Sequence, residues 1–190
     1  MKPLYLILPG EPSHQLLSMV RAATADQEMI MLRDAKEIPD LRNQRILFAI
    51  QLNEAGYNIP LFEILSHLYL RGKDALSGAR AALLIHSPCE LYTKDMAQRV
   101  IFTANQLGCR FPGQPLVEAT ENLENLRTWQ KRLDLPLEEI CLKLCKDLGQ
   151  KLMADQPVPI QRPKILALHA SSHSTSNTLE LWGMIKKHLR

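Results

Sequence analysis

The chain lacks an apolar run of 18 residues, so the sequence predicts no membrane-spanning helix. Aromatic residues make up only 5% of the 190 residues, and a net charge of +3 is too small to favour nucleic acid as a partner. The short apolar run near the N-terminus ends at Pro9 and Gly10, which is not typical of a signal peptide. We therefore expect a cytoplasmic protein that has neither membrane nor nucleic acid among its partners.

The sequence also lacks a cysteine pair of the CxxC type; its four cysteines are Cys89, Cys109, Cys141 and Cys145. Cys141 and Cys145 lie one helical turn apart among aliphatic residues, which predicts that both are buried as small apolar side chains. A metal pair would need two further ligands, and none is nearby in the sequence. We expect reduced cysteines, no metal site and no iron–sulfur centre.

Short aliphatic runs alternate with helical patterns, which is typical of a parallel sheet covered by helices. The predicted strands are Leu4–Leu8, Glu28–Leu32, Arg45–Ile50, Ala79–His86 and Pro115–Ala119. The predicted helices are Ser13–Ala23, Asn58–Leu70, one that Thr93 caps and Gly108 ends, and Asn122–Met153 with an interruption at Pro136. The third strand is apolar throughout and is expected to be central, whereas the fifth is expected at an edge. These elements predict an α/β domain with a doubly wound, five-stranded parallel sheet in three layers.

One strand and one helix are surplus to that domain. The segment Gln156–Pro163 has three prolines in eight residues, which predicts a stiff, extended connector. An aliphatic run at Ile165–His169 follows, then a hydroxyl-rich stretch, then a helical pattern. We therefore predict a domain at residues 1–156, a linker at 157–163 and a separate strand–helix unit at 164–190.

The surplus unit contains the motif Ala170-Ser171-Ser172-His173-Ser174-Thr175-Ser176-Asn177-Thr178. It resembles the phosphate loop of the NADPH-dependent FMN reductases, flavodoxin-like flavoproteins whose loop commonly reads G-S-x-R-x-x-S-N-T. Ser171, Ser176, Asn177 and Thr178 match that pattern, and His173 stands in place of its basic residue. The resemblance implies a flavodoxin-like fold, with these five residues holding the phosphate of FMN.

A looser similarity lies in the loop after the third strand, QLNEAGYNIP. In the family this loop touches the isoalloxazine ring and commonly reads P-x-Y-N-x-x-I-P. Asn53, Ile59 and Pro60 match, whereas the proline and tyrosine that open the pattern do not. The resemblance implies that Asn53 lies at the ring, with Tyr57 as a stacking face beside it, and that NADPH or NADH donates hydride to the flavin.

The composition of the C-terminal loop suits a dianion. Residues 171–178 have six hydroxyls in eight residues and no acid, and a helix is predicted from Thr178. Hydroxyls, backbone amides and the positive end of a helix dipole together favour a phosphate. The same composition also fits a serine-rich hinge in which Ser176 or Asn177 is an ordinary helix cap.

The loops after the first and fourth strands have a different character. Glu11 would place a carboxylate where a phosphate should sit, and Pro9 and Pro12 have no amide N–H to donate. A like-charge contact at ~4 Å with an effective dielectric near 20 costs about 4 kcal/mol, so we expect this loop not to bind FMN. His86–Glu90 follow the fourth strand, at the end of the sheet where ligands bind in open α/β folds.

Three interpretations remain open at this stage. In the first, the chain holds a flavin-free first unit and the beginning of a second, FMN-binding unit. In the second, the last strand and helix are exchanged within a homodimer, and the segment 171–178 completes an FMN site across the interface. In the third, the protein is a non-catalytic interaction or dimerisation module that kept the fold and lost the flavin.

Overall fold

Five parallel strands form one sheet in the order β2-β1-β3-β4-β5. They are β1 Leu4–Ile7, β2 Met29–Leu32, β3 Arg45–Gln51, β4 Arg80–His86 and β5 Leu116–Ala119. The third strand is central and the fifth lies at an edge, as predicted. This is the strand order of flavodoxin-like domains, so the predicted doubly wound α/β fold is confirmed.

The structure is a computed structural model that describes residues 3–25, 27–156 and 176–188. The chain divides into two compact units, Met1–Asp155 and Gln156–Arg190. The helices of the first unit are α1 His14–Ala23, α2 Ile59–Leu70, α3 Thr93–Gln106, α4 Arg127–Leu133 and α5 Leu137–Ala154. In the second unit the described element is helix α6, Asn177–His188. None of the helices in these described ranges is long and apolar enough to cross a membrane.

Helices on both faces of the sheet give the first unit its three layers. The β3 residues Ile46, Phe48 and Ile50 belong to the core under α2 and α3, whereas Leu47 and Ala49 belong to the core under α1 and α5. These five consecutive residues are fully buried because strands inside a parallel sheet are covered on both faces. The apolar run that identified this strand in the sequence is thereby explained.

The core under α1 and α5 also contains Cys141 and Cys145, which are buried as predicted. The two helices approach each other closely at Gly149. A Cβ atom at this position would lie 1.9 Å from the carbonyl oxygen of Ala23, so α5 can take its place beside α1 only with glycine there. The predicted interruption before α5 is confirmed, because Pro136 immediately precedes its first residue, Leu137.

One helix boundary differs from the prediction. Thr93 is the first residue of α3 and does not cap it; Tyr92, in a left-handed conformation, occupies the flanking position without a side-chain hydrogen bond. The hydroxyl of Thr93 is buried and donates instead to Oε2 of Glu118 on β5, at 2.6 Å. The predicted cap was therefore wrong, because the hydroxyl has a stronger partner on the sheet. Gly108 follows the end of α3 in a left-handed conformation, as predicted.

Strand β2 is thinly covered. Its connection to β3 contains only a 3₁₀ turn, Ala35–Glu37, where the other strand-to-strand connections of the first unit contain a helix. Met29, Ile30 and Met31 are each between 41% and 43% exposed. Because β2 is also an edge strand, apolar side chains face solvent along this margin of the sheet.

Candidate functional site

The strand order places a topological switch point between β1 and β3, where the chain turns from one side of the sheet to the other. In doubly wound folds, ligands bind outside the carboxyl ends of the strands at such a point. Here the crevice is bounded by the loop after β1, Leu8–Ser13, and by the loop after β3, Leu52–Asn58. We therefore take this crevice as the first candidate site of the domain.

The crevice contains a network of the chain's own polar groups in which Gln51, the last residue of β3, is central. The backbone N–H of Ser13 donates to Oε1 of Gln51 at 3.1 Å. The Nε2 atom of Gln51 donates to the carbonyl oxygen of Leu52 at 3.0 Å. Ser13 also accepts the N–H of Leu16 on its hydroxyl at 3.1 Å, which caps α1. The amide of Ser13, which leads into α1, is thus already bonded to a side chain.

Asn58 joins three segments around the same crevice. Its Nδ2 atom donates to the carbonyl oxygens of Pro9, at 3.1 Å, and Gln51, at 2.9 Å, while its Oδ1 accepts the N–H of Leu61 at 2.9 Å and caps α2. The side chain is only 7% exposed. Buried amides are costly unless they are bonded, and this one makes three hydrogen bonds. Asn58 therefore holds the ends of β1 and β3 and the start of α2 together.

His86, at the end of β4, completes the network. Its Nδ1 atom lies 3.0 Å from Oγ of Ser13 and 3.0 Å from Oε1 of Gln51. Burial lowers the pKa of His86 below its ordinary value, so the imidazole is neutral at neutral pH. Gln51, Ser13, Asn58 and His86 thus form a closed polar cluster, which we name the switch-point cluster.

The switch-point cluster does not fit the phosphate of FMN, which this fold implies. A phosphate at the start of α1 needs free amide donors, and this loop has fewer of them, because Pro9 and Pro12 have no N–H and that of Ser13 is bonded to Gln51. Glu11 is exposed in the same loop and adds a negative charge. The smaller number of donors and the like charge therefore make this loop a poor site for a flavin phosphate.

The loop after β3 contains two residues proposed for the ring, and it is held by bonds within itself. Oδ1 of Asn53 accepts the N–H groups of Ala55, at 3.0 Å, and Tyr57, at 2.9 Å. Tyr57 is 54% exposed. Gly56, at φ +80°, packs against the ring of Tyr92, since a Cβ at position 56 would lie 2.4 Å from Cγ of that tyrosine. Tyr92, which follows β4, therefore packs directly on the β3 loop at Gly56.

The remaining predicted residues belong to the second unit. Ser176 precedes α6, and its hydroxyl accepts the N–H of Leu179 at 3.2 Å, while Asn177 is the first residue of the helix. Thr178 lies in the first turn of α6. Ser171 and His173 lie outside the described residues. The helix thus starts one residue earlier than predicted, and Ser176 makes the cap that the hinge interpretation required.

Sequence reasoning missed Gln51 and Asn58 as members of a site, and noted His86 only by its position. The signal for Asn58 was present, because Asn followed by Ile59 and Pro60 is a helix start with proline in the first turn. Gln51 and His86 are polar residues at the carboxyl ends of the two most buried strands, and this position also indicates a site in an α/β fold. Among the described residues, no group of three or more His, Cys, Asp or Glu side chains is placed to hold a metal ion.

The fold and the strand order define a flavodoxin-like α/β domain, and comparison with solved structures agrees. Flavodoxin 1 from Bacillus cereus superposes with a TM-score of 0.56 at 13% identity, over 82% of this chain and 100% of that one. The Trp repressor binding protein from Bacillus subtilis gives 0.55 at 16% identity, over 76% and 96%. An azoreductase from Bacillus anthracis gives 0.51 at 10% identity, over 79% and 100%.

These likenesses establish the fold of the chain. No protein-family profile matches the chain. No curated protein matches it in sequence. Function must therefore be argued from the residues of the chain itself.

Proposed function

We propose that the protein is a flavin-dependent oxidoreductase related to the NADPH-dependent FMN reductases, in which FMN is held by the segment 171–178 and not by the first unit. The observations that support this division lie in the β1 loop of the first unit, where the amide of Ser13 is bonded to Oε1 of Gln51, Pro9 and Pro12 have no N–H, and Glu11 adds a carboxylate. The segment 171–178 has six hydroxyl side chains and no acid, and it is then the proposed phosphate loop of the chain.

In this proposal the two units have different tasks. When bound, FMN supplies the chemistry, accepting hydride from NADPH or NADH and passing electrons to an acceptor. The segment 171–178 positions the phosphate, with the N-terminus of α6 behind it. The first unit is a scaffold without flavin, and the proposed reaction needs none of its side chains as a general acid or base.

The test is an FMN titration of the full chain, followed by quenching of flavin fluorescence. The double variant Ser176→Ala/Asn177→Ala removes two proposed ligands and should abolish flavin retention. The control is Ser13→Ala, which changes the hydroxyl beside the first loop and should leave retention unchanged. Far-UV circular dichroism verifies that both variants are folded. Retention that survives the double variant, or is lost in Ser13→Ala, contradicts the assignment of the phosphate to the second unit.

A second candidate function is favoured by the switch-point cluster itself. A domain that closes its ligand crevice with its own side chains is suited to a non-catalytic interaction module. The same titration separates the two candidates. A colourless protein that takes up no FMN supports the module, whereas a yellow protein that quenches flavin fluorescence supports the oxidoreductase.

A further inference from the structure

A second opening in the first unit lies beside the carboxyl ends of β4 and β5, on the face of the sheet covered by α1 and α5. Its volume is about 720 Å³. Polar side chains line much of it: Gln15, His86, Glu121, Asn122, Gln130 and Glu138. We name it the His86 cleft. It shares only His86 with the switch-point cluster, and neither Asn53 nor Tyr57, the residues of the first unit predicted for the flavin ring, is among the described residues that line it.

The switch-point cluster determines which nitrogen of His86 carries the proton. The N–H of Ser13 can only donate, so the atom of Gln51 that faces it is the carbonyl oxygen Oε1. The carbonyl oxygens of Leu52 and His86 can only accept, and they face Nε2 of Gln51 at 3.0 and 3.4 Å, which agrees with that orientation. Oε1 also lies 3.0 Å from Nδ1 of His86 and can only accept, so a bond between them requires the proton on Nδ1, with Oγ of Ser13, also at 3.0 Å, as a second acceptor.

A neutral imidazole that is protonated on Nδ1 has a lone pair on Nε2. Among the described residues, the hydrogen bonds of the His86 ring are made by Nδ1. Because His86 lines the cleft, we take Nε2 as the acceptor that a ligand in the cleft would meet. Gln51 thus positions the ring and selects its tautomer, while His86 presents the acceptor on the wall of the cleft.

One wall of the cleft is a strained loop that side-chain bonds hold in place. Asn122 and Leu123 are consecutive residues in left-handed conformation, at φ 56° and 60°, which is rare for leucine. Asn125 fixes the loop by accepting the N–H of Thr120 at 3.1 Å and donating to the carbonyl oxygen of Glu118 at 2.9 Å. Leu123 is buried in the core below. The wall is therefore preorganised in the absence of a ligand.

The charge of the lining restricts what the cleft can take. Glu121 and Glu138 contribute two carboxylates, and neither Lys nor Arg is among the described residues that line the cleft. An anion would meet like charge there, whereas a cation would meet opposite charge. With His86 Nε2 and the amide oxygens of Gln15 and Gln130 as further acceptors, the cleft suits a compound that is rich in N–H donors.

We propose that the His86 cleft binds a small organic cation, of the guanidinium or primary-amine class. One N–H of the ligand donates to Nε2 of His86, and its charge faces Glu121 and Glu138. This site goes beyond the proposed function and does not depend on it, because the second unit and the flavin take no part in it.

The test uses agmatine, which carries a guanidinium and a primary amine, as the probe and inorganic phosphate as the anionic counterpart. Nitrogen NMR of the full chain at neutral pH should show His86 protonated on Nδ1. Agmatine should shift the Nε2 resonance in a saturable way, and phosphate at equal ionic strength should not. The variant Glu121→Gln/Glu138→Gln should weaken agmatine binding roughly tenfold, since it removes two partly exposed charge contacts.

The matched control is Glu63→Gln, which removes an exposed carboxylate from α2 on the opposite face and should leave agmatine binding unchanged. Each of the following results would overturn the proposal: a proton on Nε2 of His86 in the free protein, the absence of a saturable shift with agmatine, and a shift with phosphate as large as that with agmatine. If Glu121→Gln/Glu138→Gln and Glu63→Gln weaken agmatine binding equally, the protein attracts the cation through its overall charge and the cleft is not the site.

Discussion

Replacing Asn58 by alanine tests whether the switch-point cluster holds the loops of the first unit in place. The substitution removes the cap of α2, which costs about 1 kcal/mol. It also leaves the carbonyl oxygens of Pro9 and Gln51 without the amide donor that reaches them at 3.1 and 2.9 Å. An unsatisfied buried polar group costs about 1–3 kcal/mol, so we expect a total loss of about 2–4 kcal/mol in the free energy of unfolding.

The loss is measured by urea unfolding followed by far-UV circular dichroism, and by the shift of Tm, which should fall by roughly 4–16 °C. Asn58→Ser keeps a cap oxygen but not the amide, and should be more stable than Asn58→Ala by about 1 kcal/mol. Asn105→Ala, at an exposed position of α3, is the matched control and should change stability by less than about 0.5 kcal/mol. If Asn58→Ala is no more destabilising than Asn105→Ala, the three bonds of Asn58 do not hold the loops together and the reasoning fails.

Two further predictions concern the helix contact and the buried histidine. Gly149→Ala should lower stability by about 1–3 kcal/mol or more in the same assay, because its Cβ would meet the carbonyl oxygen of Ala23, whereas Gly183→Ala, with open space around it, should not destabilise. Equal effects of the two substitutions would contradict the close approach of α1 and α5. The lowered pKa of His86 means that the unfolded chain binds more protons than the folded one as the pH falls below about 6.5. The free energy of unfolding should therefore be highest above that pH and decrease as the pH falls below it. His86→Gln should make this decrease smaller. An unchanged slope of the free energy of unfolding against pH would show that another group titrates.

The arrangement of the sheet was predictable because burial on both faces leaves a continuous apolar run in the sequence. Ile46–Ile50 shows this in β3, and the helices that cover it leave their own period of apolar residues. Local caps were less predictable. Thr93 had the residue type of a cap, but its hydroxyl donates to Glu118, which lies 25 positions later in the sequence, on strand β5.

The switch-point cluster depends on contacts that local patterns do not contain. Ser13 and His86 are separated by 73 positions and Gln51 and His86 by 35, and they meet only because β1, β3 and β4 are neighbours in the sheet. The composition of the β1 loop did predict that this loop would not bind a phosphate. It did not indicate that a glutamine side chain would accept the N–H of Ser13, which requires knowing where the side chain of Gln51 lies.

The short β2 strand has a consequence for how this domain behaves at high concentration. Four residues offer a neighbouring chain very few backbone hydrogen bonds, and charged residues stand at both ends, Glu28 before the strand and Arg33 and Asp34 after it. Brevity and flanking charge are means by which natural sheets resist growth from their borders. The shortness of β2 and the charged residues beside it therefore oppose edge-to-edge association of the sheet. The exposed apolar side chains of Met29, Ile30 and Met31 would otherwise favour such association.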